Sequence, residues 1–121
     1  MSILIRLLIN AAALFVATRL VNGIEFKGTP MALLGVALVF AIVNTFVKPI
    51  ISFFSLPFIF VTLGLFLLVI NAVMLMVTSG LSRSLGLGFS VRGFGAALLG
   101  SIVVSLTSLV LGAFLDGGKS D

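Results

Sequence analysis

Cysteine, histidine, tryptophan and tyrosine are all missing from this chain. Without cysteine there is no disulfide, no thiolate nucleophile and no Cys metal site. Without histidine the commonest acid–base group is gone. Charge is nearly missing too: Asp, Glu, Lys and Arg make up 8% of residues, against about 25% in soluble domains. The carboxylates are Glu25, Asp116 and Asp121, and Glu25 has no carboxylate neighbour in its stretch. No cluster of metal ligands exists. The glycine-rich run Gly86-Leu87-Gly88-Phe89-Ser90-Val91-Arg92-Gly93 lacks the G-K-[ST] ending of a phosphate loop and fails the dinucleotide spacing. A Ser–Lys pair with Lys48 has nothing else to support it. The sequence therefore predicts no enzyme, no cofactor and no metal.

Hydrophobic residues, by contrast, make up 61% of 121 residues, where soluble chains have roughly 45–50%. A mean hydropathy of +1.45 makes lipid the solvent for most of the chain. The net charge of +4 comes from residues near segment ends. It reads as bilayer anchoring and attraction to anionic headgroups, not as a nucleic-acid surface.

Four spans follow from the apolar runs. The first is Ile3 to Val21, with Arg6 and Arg19 near its ends. They are thirteen positions apart, about 20 Å along a helix, so both can snorkel to opposite interfaces. A secretory signal is the rival reading, but Arg19 falls in its cleavage region. The second span is Pro30 to Val47, closed by Lys48-Pro49. Residues 49–82 carry no charge, too long for one upright span and too short for two. Pro57 offers the break, leaving a short interfacial or re-entrant helix at about 49–56 and a third span from Phe58 to Leu81. The fourth is Gly93 to Leu115, followed by the polar tail Asp116 to Asp121. The expected fold is a single all-α integral membrane domain over 1–121, with both termini on one side.

The chain also resembles itself. At an offset of 65, Gly23, Gly28, Ala32, Leu33, Leu34, Gly35 and Val39 lie over Gly88, Gly93, Ala97, Leu98, Leu99, Gly100 and Val104. With a small shift, Leu7-Leu8-Ile9-Asn10-Ala11 lies over Leu68-Val69-Ile70-Asn71-Ala72. The repeats, about 5–47 and 66–115, are expected to be two pseudo-symmetric hairpins about an axis along the membrane normal. Between their glycines, Ile24-Glu25-Phe26-Lys27 and Phe89-Ser90-Val91-Arg92 alternate with period two. Either the 22–29 and 87–93 loops pair as a short β ribbon, or both are ordinary interfacial loops.

Polar residues inside the spans fall on helix faces. Arg6, Asn10, Ala13 and Ala17 share one face; Ala37, Ala41, Asn44 and Lys48 share another. Asn71 recurs between Gly64 and Thr78 at intervals of seven. Gly93, Ala97, Ser101, Ser105, Ser108 and Gly112 form a stripe of small residues. Two readings stay open for Asn10, Asn44, Lys48, Asn71, Ser101, Ser105 and Ser108. They are packing and hydrogen-bonding glue between helices, or they line a polar path. Lys48 either snorkels or binds a phosphate headgroup. Symmetry places Asn10 and Asn71 at matching depth, sharing a network with Asn44 and Ser105 as candidate partners. The small-residue stripe suggests a homo-oligomer.

Asn44-x(3)-Lys48-Pro49, Leu56-Pro57, Thr62-Leu63-Gly64-Leu65-Phe66, Val69-Ile70-Asn71-Ala72 and Gly88-Phe89-x(3)-Gly93-Phe94 together resemble the bacterial four-span proteins of phage holin superfamily IV. The resemblance covers nearly the whole chain. It implies a small protein of the bacterial cytoplasmic (inner) membrane with four helices and cytoplasmic termini. Charge alone does not set that orientation: Arg6, Lys48 and Lys119 face Arg19, Lys27, Arg83 and Arg92. It implies a holin-like activity, in which copies assemble and permeabilise the membrane. The tail Gly117 to Asp121 is not the strongly basic run of a typical holin. The alternative is a non-conducting structural or accessory protein, tied to envelope stress or lipid organisation. The family supplies no catalytic residue.

Overall fold

The computed structural model describes residues 2–116; the polar tail beyond Asp116, with Lys119, lies outside the described residues. Four long helices dominate: α1 (Ile3–Leu20), α2 (Pro30–Phe46), α5 (Phe66–Ser84) and α6 (Gly93–Asp116). Two short helices, α3 (Lys48–Phe54) and α4 (Leu56–Val61), link α2 to α5. Two three-residue strands, β1 (Ile24–Phe26) and β2 (Phe89–Val91), complete the chain. Four helical segments are long and apolar enough to cross a membrane, with α2 and α3 counted as one.

Local chemistry sets the helix starts. Ser2 Oγ accepts from Ile5 N at 3.1 Å and caps α1. Thr29 Oγ1 accepts from Ala32 N at 3.1 Å, and Pro30 takes the first position of α2, where its missing N–H costs nothing. Pro49 and Pro57 likewise sit in the first turns of α3 and α4. The chain between α2 and α3 stays helical, because Val47 is αR and its N–H reaches Val43 O at 2.8 Å.

This corrects the expected start of the third span. The expected short helix is present as α3, ending at Phe54, but Pro57 then sits in the first turn of a second short helix, α4, and does not open the third span. The true break is Thr62-Leu63-Gly64-Leu65. There Leu63 (φ 57°) and Gly64 (φ 93°) leave the right-handed region, Gly64 N donates to Ile59 O and Leu63 N to Phe60 O. This is a Schellman-type stop, with the unusual feature of leucine in the left-handed position. Thr62 Oγ1 donates to Phe58 O and accepts from Phe66 N, tying α4 to α5. The third long helix therefore begins at Phe66. Gly64, expected on the Asn71 face, lies in the turn.

The four long helices form a ring. α1 packs on α2 and α6, and α5 packs on the same two, so α1 is diagonal to α5 and α2 to α6. Small residues let α1 in: Ala13, Leu14 and Ala17 are fully buried, so α1 is one wall of the bundle. The main core joins these to Val36, Ala37, Leu75 and Val104. A second cluster of Val43, Ile70 and Met74 holds α2 to α5 and receives Val47, Ile51 and Ile59 from the linking segment.

The ribbon forms. β1 and β2 pair antiparallel, Ile24 opposite Val91, Glu25 opposite Ser90 and Phe26 opposite Phe89. Lys27 N donates to Gly88 O at 2.9 Å and Arg92 N to Gly23 O at 2.7 Å. Those two bonds join positions equivalent under the offset of 65, and the register is centred on the equivalent pair Glu25 and Ser90. Ile24 and Phe89 point inward and are buried. The ribbon is thus a lid on one end of the ring. Ser79 Oγ on α5 accepts from Val91 N at 3.0 Å and pins it. Outside, the Arg92 guanidinium donates to the Glu25 carboxylate. Both groups are solvent-accessible, so Glu25→Gln is expected to cost less than about 1 kcal/mol of stability in chemical-denaturant titration.

Candidate functional site

All seven residues singled out for their polarity within the spans line one cavity. It holds about 180 Å³ and is walled by Asn10 of α1, Asn44 and Lys48 at the α2–α3 junction, Asn71 of α5, and Ser101, Ser105 and Ser108 of α6. The helical repeat explains how four helices contribute. Asn44 and Lys48 are one turn apart, and Ser101, Ser105 and Ser108 follow i, i+4, i+7. Each helix therefore turns one polar edge to the ring's centre. The side chains lie toward the end of the ring that holds Arg6 and the linking helices, away from the ribbon.

The rest of the wall is apolar. Phe40, Leu75 and Val104 complete the lining and belong to the buried core. They make an apolar floor that lies nearer the ribbon along α2, α5 and α6 than Asn44, Asn71, Ser105 and Ser108, at about the level of Ser101. The sequence pattern did not single them out, because an apolar residue within an apolar helix carries no signal of its own. The cavity is a vestibule whose polar side chains are concentrated toward the terminal end, and Ile24 and Phe89 are buried beneath the ribbon at the other end.

The polar groups of this wall have few protein partners. Among the described residues, Ser101 Oγ donates to Leu98 O at 2.9 Å. No side-chain hydrogen bond joins Asn10, Asn44 or Asn71 to one another or to Ser105. Asn10 and Asn71 stand on diagonal helices, with the cavity between them. Intrahelical back-bonding satisfies other hydroxyls instead: Thr78 Oγ1 donates to Met74 O and Thr45 Oγ1 to Ala41 O. An amide in hydrocarbon without a partner costs on the order of 1–3 kcal/mol, so these amides require polar occupants of the cavity. If one polar occupant bonds both Asn10 and Asn71, substitutions at the two are coupled across the ring. A double-mutant cycle of Asn10→Leu and Asn71→Leu is expected to depart from additivity by about 0.5 kcal/mol or more. Equilibrium unfolding in detergent would measure it, and strict additivity would show separate environments.

A second cleft adjoins the first. It lies between α1 and α2, is lined by Ile3, Arg6, Leu7, Leu38, Ala41 and Thr45, and shares Asn10 and Asn44 with the vestibule. At the ribbon end, Arg19 lies over the Phe15 ring at 5.4 Å, within a shallow cleft that also holds Glu25 and Lys27. Among the described residues no group of three or more carboxylate, cysteine or histidine ligands converges.

The comparisons with known proteins agree on one assignment. The family model described as mycobacterial 4 TMS phage holin, superfamily IV, matches residues 1–110. An uncharacterized protein of Streptomyces coelicolor is 44% identical over 120 residues, covering 95% of this chain and 96% of its own. The uncharacterized membrane protein YvlD of Bacillus subtilis is 36% identical over 107 residues, covering 88% of this chain and 87% of its own. No solved structure matches. With four apolar helices of spanning length and a family match over nearly its full length, the chain is a multi-pass membrane protein that belongs to the four-span phage holin superfamily IV.

Proposed function

We propose that this chain is a holin-like protein of the bacterial cytoplasmic membrane whose copies assemble and permeabilise the bilayer. Its termini face the cytoplasm, and its single domain is built from two hairpin repeats related by a pseudo-two-fold axis. The observation that carries the reading is the vestibule: three amides, three serines and a lysine line it within a membrane bundle, Ser105 at its exposed edge, with almost no protein hydrogen-bond partners among the described residues. Polar groups gathered in this way support a water-filled entry into the membrane. The ribbon's two flanking hydrogen bonds, which are each other's images under the offset of 65, support the symmetric arrangement.

One observation favours a second reading. Phe40, Leu75 and Val104 join the cavity lining to the buried core that includes Ile24 and Phe89 under the ribbon, which supports a non-conducting structural or accessory protein. Conduction then requires an assembly that opens the floor or a path between copies. Inducible expression with a membrane-potential dye separates the two. Rapid depolarisation and dye leakage are expected for the holin-like reading; harmless accumulation to the same level would establish the accessory role.

A further inference from the structure

The geometry points to the Lys48 cavity as a binding site for the phosphate of an anionic phospholipid, its glycerol and acyl chains running out through the cleft between α1 and α2. This goes beyond permeabilisation and holds whether or not the protein conducts.

Lys48 is half-buried on the cavity wall, and among the described residues no carboxylate lines the cavity with it. Glu25 is at the opposite end, bonded to Arg92. A lysine ammonium inside a membrane bundle is costly without an anion. The groups around it suit one. Asn amides and Ser hydroxyls can donate to phosphate oxygens, and such bonds to a charged acceptor are stronger than neutral ones.

Shape supplies the second, independent argument. Asn10 and Asn44 belong to both the polar cavity and the cleft between α1 and α2. That cleft is apolar along Ile3, Leu7, Leu38 and Ala41, and Arg6 stands on its rim. The helix that carries Ile3 and Leu7 exposes Ile3 at 84% and Leu8 at 49%, so the cleft meets the bilayer. A polar pocket with one cation, joined through two amides to an apolar groove that faces lipid, matches the two halves of a phospholipid. Free inorganic phosphate shares the chemistry of the first half and not of the second.

Native mass spectrometry of the full chain in mild detergent tests this, with added phosphatidylglycerol, phosphatidylethanolamine or inorganic phosphate. Wild type is expected to keep one phosphatidylglycerol. Lys48→Gln should lower its occupancy by roughly tenfold, the size of one lost charge-assisted contact, and Lys48→Arg should restore it. Asn44→Asp is the second variant. It keeps the lysine and places a carboxylate four residues before it, so it should expel the lipid while the protein stays folded. Lys27→Gln, on the ribbon, should change nothing. Thermal midpoints separate the sources: a rise with phosphatidylglycerol and none with inorganic phosphate assigns the lipid, and a rise with inorganic phosphate alone overturns the lipid in favour of the free ion. Wild-type retention in both Lys48→Gln and Asn44→Asp, or equal retention of phosphatidylethanolamine, would overturn the site.

Discussion

Replacing Gly88 with valine is expected to unfold the ribbon end of the bundle and cost about 3 kcal/mol or more. Two effects add. Gly88 has φ +83°, a conformation that costs a branched residue roughly 1–3 kcal/mol. A Cβ there would also run into the carbonyl of Lys27, and that carbonyl belongs to backbone that cannot swing aside as a side chain could. The same strand carries Phe89, which is fully buried in the core, so a displaced Gly88 drags a large side chain out of its site. Gly86→Val sets the comparison: its φ is +72°, but nothing lies within 4 Å of its Cβ position. It should suffer the backbone term alone. Thermal or urea-induced loss of helicity in detergent measures both. Equal costs at the two positions would mean that the Lys27 contact contributes nothing.

The second large effect concerns the floor. If permeation proceeds through the vestibule, Leu75→Asn should raise ion leakage by at least about tenfold. Leu75 is buried, joins α5 to the main core and lines the cavity below the amides. A hydrophobic constriction excludes ions by staying dry. One amide at that level extends the polar lining toward the ribbon, and a barrier lowered by about 1.4 kcal/mol is a tenfold rate. Proteoliposomes loaded with a pH or potassium-sensitive dye give the readout. Leu109→Asn is the control, since Leu109 is 70% exposed on the outer side of α6. An increase at Leu109 equal to that at Leu75 would place the leak outside the vestibule. No increase at either would favour the non-conducting reading.

The spans and the ribbon were legible in the sequence for separate reasons. A span is announced by its length of apolar residues, a property of the segment itself. The ribbon was legible from period-two alternation between repeated glycines, and those glycines are where the chain comes closest to its neighbours: a Cβ on Gly23 would overlap the Ala96 methyl, and one on Gly88 the Lys27 carbonyl. The break before α5 was misplaced because proline is the louder signal. Pro57 marks a helix start as readily as a stop, whereas the stop itself depends on Leu63 taking a left-handed conformation that leucine does not advertise.

The polar residues show the same division. Period and composition determined that Asn10, Asn44, Lys48 and Asn71 could not face hydrocarbon alone, and that Ser101, Ser105 and Ser108 share one edge of α6. These conclusions need only the helical repeat and the cost of burying an amide. That all of them meet around one space was decided by the ring order of the helices, which sets α1 diagonal to α5 and α2 diagonal to α6. The floor was decided by tertiary structure as well. Phe40, Leu75 and Val104 differ from the other apolar residues of their helices only in depth and direction. Those are fixed by packing against neighbours far away in the chain, which no local pattern records.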